Sequence, residues 1–237
     1  MAAACSHPGE KSERKIWPPE TVVLDTLRLP QRFLRNIYFR EDESFIPRIS
    51  GMSDTAFQHK LNSLFLENFK RFADSAKKEN GLTSDLEIET AELTEAEPAS
   101  AKARYEILSL NDSLISVVQY FISLVGHGGN SWTSASSVVN VNLRYHQLME
   151  DPMFKYTGLS FDSLDGRVYR FFLRTLEEAP NSTGLEEYRS NPEKLKFGIR
   201  NDSMILVHEG YPGSHSTYGT YLIPVNRRQS LSNLPKN

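Results

Sequence analysis

The sequence predicts an α+β fold: antiparallel sheets with a long amphipathic helix packed on one face and a second, shorter helix. Residues 113–143 read as two long strands around a Gly-rich reversal, Gly126-His127-Gly128-Gly129-Asn130. Residues 54–80 carry one apolar stripe at helical spacing. Short runs of alternating apolar and polar residues, bounded by Pro, Gly, Asn and Asp, recur on both sides of these two stretches.

The hairpin organises the rest. In its first arm Leu114, Val118, Tyr120, Ile122 and Leu124 share one face, because side chains alternate along a strand; Ile115, Val117, Phe121 and Val125 share the other. A strand that is apolar on both faces is a central strand with a cover on each side. In the second arm Val139, Val141 and Leu143 face one way and Asn140 and Asn142 the other, which predicts a wet face there. Glycine supplies positive φ at little cost and Asn tolerates it, so residues 126–130 make the reversal.

The remaining elements follow in chain order. Residues 1–15 are polar and predict a disordered tether. Residues 21–29 alternate as a strand closed by Pro30, and residues 33–39 favour a second one. Residues 46–52 are extended, because Pro47 disfavours helix at Ile46. Ser53 is the expected cap of the helix over 54–80, whose stripe is Phe57, Leu61, Leu64, Phe65, Phe69, Phe72, Ala73 and Ala76. His59 falls near the edge of that stripe and reads as solvated. Residues 85–91 alternate as a strand, inside an acidic stretch that runs from Glu79 to Glu97 without a Lys or Arg. The boundary of two subdomains is placed in residues 95–101, giving an N-terminal α+β subdomain over 16–97 and a C-terminal one over 98–237. Residues 102–110 alternate as a strand leading into the central hairpin. A short helix is allowed at 144–150, and the second helix is expected over 167–178. Residues 195–200 and 203–209 form another hairpin around Asn201-Asp202, and 217–225 is the last strand.

Composition narrows the function. The 237 residues carry a net charge of −3, with no basic stripe interleaved with aromatics, which argues against nucleic acid as the partner. No run of eighteen apolar residues reads as a membrane span. Cys5 is the single cysteine, so no intramolecular disulfide forms. Its context, Ala2-Ala3-Ala4-Cys5-Ser6, has the small residues that precede a lipidated cysteine, followed by a polar tether. The sequence therefore predicts lipidation at Cys5, and membrane attachment only through that anchor.

The candidate binding residues are His127, Gly128, Gly129 and Asn130 in the hairpin loop, with the aromatics Trp132, Tyr211 and Tyr218 in or beside Gly-rich stretches. His127 has little local packing between its glycines. It reads either as a loop histidine bonded to nearby backbone or as a contact to a ligand. No HExxH, P-loop, dinucleotide fingerprint or nucleophile elbow is present, so no catalytic residue, metal ligand or cofactor is assigned. The competing reading is a metal-dependent or histidine-based hydrolase acting on the cell wall, using His127, His208 and His215 with Glu209 as base.

Three segments together resemble a known family. Ile46-Pro47-Arg48-Ile49-Ser50-Gly51-Met52 followed by the helix, Gly126-His127-Gly128-Gly129-Asn130 between its strands, and Tyr218-Gly219-Thr220-Tyr221-Leu222-Ile223-Pro224 at the end resemble the RsiV-like extracytoplasmic domains of unknown function. These are the tandem domains of RsiV-type anti-sigma factors and PdaC-type peptidoglycan deacetylases. The resemblance spans about residues 21–231. It implies an α+β domain in the bacterial cell envelope, periplasmic or surface-exposed, with lysozyme or peptidoglycan as the class of ligand. The chain departs from the family in the glycine pattern around His127. It also lacks a deacetylase's metal-binding motifs and a cytoplasmic sigma-binding segment. The expected function is therefore non-catalytic ligand binding.

Overall fold

The computed structural model describes residues 16–29, 44–79, 100–125, 131–149, 159–175, 195–201, 203–209 and 220–225. Strand β1 (Val23–Leu29) pairs antiparallel with β2 (Ser44–Ser50), and helix α1 (Thr55–Glu79) follows. Strands β3 (Ser100–Leu110), β4 (Leu114–Val125), β5 (Ser131–Asn142) and β6 (Gln147–Leu148) form an antiparallel sheet in sequence order. Helix α2 (Phe161–Thr175) precedes a third sheet of β7 (Lys196–Arg200), β8 (Ser203–Glu209) and β9 (Thr220–Pro224). This is an α+β fold. The predicted strands over 33–39 and 85–91 lie outside the described residues.

Strand β4 separates two bodies of core, as its two apolar faces demand. On one side Ile115, Val117 and Phe121 meet Phe57, Leu61, Phe65, Phe69 and Phe72 of α1, along with Ile46 and Ile49 of β2. On the other side Val118 packs with Leu108 and Val207 between the two larger sheets. The outer face of the third sheet presents Phe197, Ile199, Met204, Leu206 and Ile223 to Leu164, Val168 and Phe172 of α2. The order of layers is thus α1, sheet β3–β6, sheet β7–β9, α2.

The polar residues of β4 and β5 join these layers. Asn140, expected in a wet face, is buried at 6% exposure because β7 covers it. Its Nδ2 donates to the Phe197 carbonyl at 2.7 Å, and its Oδ1 accepts from Ser116 Oγ at 2.7 Å. The Ile199 amide donates to Ser116 Oγ at 2.9 Å, so each of these buried polar atoms has a partner. Toward α1, Gln119 Nε2 donates to the Phe65 carbonyl at 3.0 Å, and Asn68 Nδ2 bridges Gln119 Oε1 and Ser137 Oγ.

Three local expectations are corrected. Asp54, not Ser53, caps α1: the Phe57 amide donates to Asp54 Oδ1 at 2.9 Å, the N3-to-cap bond, while Ser53 is engaged elsewhere. Residues 144–149 form no helix. His146 takes φ +47°, a left-handed turn, and β6 then pairs Leu148 with Val141. The second helix begins at Phe161, not at Arg167, because Ser160 caps it: the Ser163 amide donates to Ser160 Oγ at 3.2 Å.

Candidate functional site

Cys5, His127, Gly128, Gly129, Asn130, Tyr211, His215 and Tyr218 lie outside the described residues. Trp132 lies in β5, paired with Leu124. The structure does describe the strand ends that bracket these residues. The last pair of the central hairpin is Val125 with Ser131, and the last pair of β8–β9 is Glu209 with Thr220.

The direction of the two hairpins follows from contacts along β5. Ile199, partner of Met204 at the start of β8, binds Ser116, which is opposite Asn140. Glu209, at the end of β8, binds Ser136. Strand β8 therefore runs toward the Ser131 end of β5. Ser136 stands five positions from Ser131, roughly 17 Å along a strand. Both segments that carry the predicted binding residues are thus bracketed by strand ends at the same end of the packed sheets.

A charged clasp fixes this relationship. Glu209 Oε1 accepts from Lys196 Nζ at 2.5 Å, from Ser136 Oγ at 2.7 Å and from the Ser136 amide. Lys196 Nζ also donates to the Ser136 carbonyl at 2.7 Å. Burial alone would raise the Glu209 carboxyl, yet the Lys196 ammonium and the Ser136 donors hold it below the ordinary carboxylate range. An ionised carboxylate whose oxygen already serves three donors is built to hold sheets together. A general base needs a carboxyl held up near neutral pH. His208, one position before Glu209, points to the opposite face of β8 and meets Phe172 edge-on at 5.7 Å. The residues grouped by the hydrolase reading are divided here, His208 toward α2 and Glu209 toward β5.

A second polar group crosses the same inter-sheet seam. Glu106 accepts from Tyr120 at 2.9 Å through one oxygen and pairs with Arg200 through the other. Burial and the Glu106 carboxylate push the Tyr120 hydroxyl well above the usual phenol range. Near the β3 bulge, a cleft of about 570 Å³ is lined by Ile107, Ser109, Leu110, Asn111, Leu114 and Asn201.

Among the described residues, a further cluster of titratable groups centres on His146, which the sequence did not single out. The His146 side chain is 3% exposed and stacks between Trp17, at 4.2 Å, and Phe57, at 5.4 Å. Its Nε2 lies 2.8 Å from Glu20 Oε1 and its Nδ1 lies 3.4 Å from Asp54 Oδ2. Glu20 also accepts from Ser53 Oγ at 2.6 Å and from the Ser53 amide at 3.0 Å. Burial would raise the Glu20 carboxyl, but the bonds from Ser53 and His146 outweigh it and keep the group below its ordinary range. The bond from the Phe57 amide, aided by His146, lowers Asp54 likewise. Only the left-handed turn, which a histidine tolerates better than most residues, brings these groups together, and no spacing in the sequence announces it.

Among the described residues no three His, Cys, Asp or Glu side chains are placed to hold a metal ion. Among the same residues no helix is long and apolar enough to cross a membrane.

No family model matches the chain, and no curated protein matches it significantly. Solved structures do. The crystal structure of a DUF3298 family member from Bacteroides fragilis aligns over 87% of this chain and 91% of its own, with a TM-score of 0.55 and 9% identity. A DUF3298 family protein from Pseudomonas aeruginosa aligns over 88% of this chain and 91% of its own, with a TM-score of 0.49 and 9% identity. At such identity the likeness is one of fold: the chain has the α+β architecture of a DUF3298 domain, a domain of unknown function.

Proposed function

We propose that this chain is a non-catalytic, extracytoplasmic binding domain of the RsiV-like kind, held at a bacterial membrane by a lipid on Cys5. Its ligand is an envelope component of the lysozyme or peptidoglycan class. In this reading residues 1–15 are the tether, and segments 16–97 and 98–237 are the two subdomains. The ligand meets the end of the sheets bracketed by the Val125–Ser131 and Glu209–Thr220 pairs, to which residues 126–130, Trp132 and residues 210–219 belong.

The observation that carries this reading is the common direction of the two hairpins, fixed by the Ser136–Glu209–Lys196 clasp. Loops on a rigid, jointly anchored frame suit recognition, because little order is lost when they engage a partner. The engagement of Glu209 by Lys196 and Ser136 leaves it poorly placed as a hydrolytic base.

The test is calorimetric titration of the unlipidated chain with lysozyme and, separately, with soluble peptidoglycan fragments. Saturable heat that falls in His127→Ala and Tyr211→Ala, with unchanged melting, supports the loop face. No heat with either ligand removes that ligand class. Binding retained at full strength in both variants moves the site elsewhere.

A further inference from the structure

Strand β5 is held on one side along its whole length: every residue from Ser131 to Asn142 is paired with β4. On the other side, among the described residues, the short strand β6 meets only Val141 and Asn142, and the Met149 amide adds a bond to the Asn140 carbonyl. From Ser131 to Val139 that side is, among the described residues, the edge of the sheet.

The backbone groups of an antiparallel strand point alternately toward a given neighbour and away from it. The register of β5 on β4 is unbroken, so a single bond to the outside sets the direction of all the others. The Ser136 amide donates to the Glu209 carboxylate, and the Ser136 carbonyl accepts from Lys196 Nζ at 2.7 Å. The Asn140 carbonyl, four positions on, takes the Met149 amide. Both residues thus turn their backbone groups away from β4, and so does Val138 between them. Among the described residues nothing bonds to the outward amide and carbonyl of Val138.

The composition of β5 suits such an edge to pairing. Charge and proline, which ordinarily keep edge strands apart, are absent from Ser131–Asn142, whereas Val and Thr, which favour strands, are present. The charges come from the third sheet instead. Lys196 opens β7 and Glu209 closes β8, and together they fill both backbone groups of Ser136.

We propose that the outer edge of β5 is a pairing surface for a second copy of this chain, and that the Lys196–Glu209 pair keeps it shut. The second copy is the occupant that the strand's own chemistry selects. Two β5 edges related by a two-fold axis run antiparallel, the sense in which β5 already pairs with β4 and β6. With Ser137 opposite its own copy, Val138 of each chain meets Ser136 of the other, and the strands bring no like charges face to face. Each of these two rungs needs a Ser136, so the closed clasp blocks both. To form them, a strand must displace the Glu209 carboxylate from the amide and the Lys196 ammonium from the carbonyl. The clasp that joins the sheets thereby also keeps copies of the chain apart.

The test compares the full, unlipidated chain with its Lys196→Ala/Glu209→Ala double variant by sedimentation equilibrium. Far-UV dichroism checks the fold, and hydrogen exchange reports on single amides. In the parent, Val138 exchanges faster than Val139, whose amide faces β4. In the double variant the dimer dissociation constant falls by about tenfold or more, because each copy gains backbone partners. The Val138 amide then becomes protected as concentration rises through that constant. A folded double variant that associates no more than the parent overturns the proposal, as does association that leaves Val138 exchanging as in the monomer. Should the double variant not fold, Lys196→Ala alone, which frees the Ser136 carbonyl, is measured in the same way. Association no stronger than the parent's then overturns it.

Discussion

Gly198 lies directly against Leu108: a Cβ built at position 198 would stand 2.1 Å from Leu108 Cδ1 and 3.3 Å from Ser116 Oγ. The two larger sheets meet closely at this point, and the end of the Leu108 side chain fills the space that a Cβ at position 198 would take.

Gly198→Ala therefore destabilises the fold by about 1–3 kcal/mol, the usual cost of overpacking a filled core. Urea unfolding followed by far-UV dichroism measures it. Equal stability of parent and variant would mean that Leu108 turns aside without penalty.

Asn140→Ala removes the donor to the Phe197 carbonyl and the acceptor for Ser116 Oγ at a buried site. The expected loss is about 1–3 kcal/mol, because the stranded partners stay desolvated. The double variant with Ser116→Ala costs less than the sum of the two single changes, and a double-mutant cycle reads the coupling.

Asp54→Ala strips the cap from α1 and one carboxylate from His146. Cap removal costs about 0.5–2 kcal/mol. The same change at Ser53 leaves the Phe57 amide satisfied by Asp54, so Ser53→Ala affects the segment around Glu20 more than the helix. Thermal melts paired with exchange at residues 17–21 separate the two effects.

Glu209 makes a pH-dependent contribution. Its folded carboxyl is held below the ordinary range by Lys196 and Ser136. The stabilisation is thus present in full above the unfolded carboxyl's pKa and is lost as pH falls through the folded value. Both partners are about one-third exposed, so solvent screening keeps the effect small, about 1 kcal/mol or less. Lys196→Met flattens the acid limb of a stability-versus-pH curve. An acid limb identical to the parent's would show that the clasp has no share in it.

Much of the fold was legible because period and turn chemistry are local. The two apolar faces of residues 114–125 predicted a covered central strand, and Phe57, Leu61, Phe65, Phe69 and Phe72 predicted the helix that covers one side of it. Asn140 was misread because alternation tells which residues share a face, not whether a polar face is dry. Its neighbour β7 arrives from more than fifty residues away. The turn at 143–146 was misread for a related reason: residues 144–150 allow a helical turn, and only the bonds to Trp17, Glu20 and β5 select the left-handed one. The predicted binding residues of the loops fall outside the described residues, whereas the pairing of the strands that bracket them is described. The cluster around His146 could not be read from sequence, since its members are single residues without a shared motif.

The distance along the chain between Glu20 and His146, 126 residues, has a consequence for biosynthesis. At about 5–20 residues per second, Glu20 leaves the ribosome roughly 6–25 seconds before the histidine it contacts. Through that interval Glu20 can meet Ser53 but not the imidazole, Trp17 lacks the Arg144 carbonyl and the ring it stacks on, and the head of α1 has its cap but not the ring stacked on Phe57. Residues 16–20 thus complete their contacts only after residue 146 is made, and any factor that handles the nascent chain meets them while those contacts are still open.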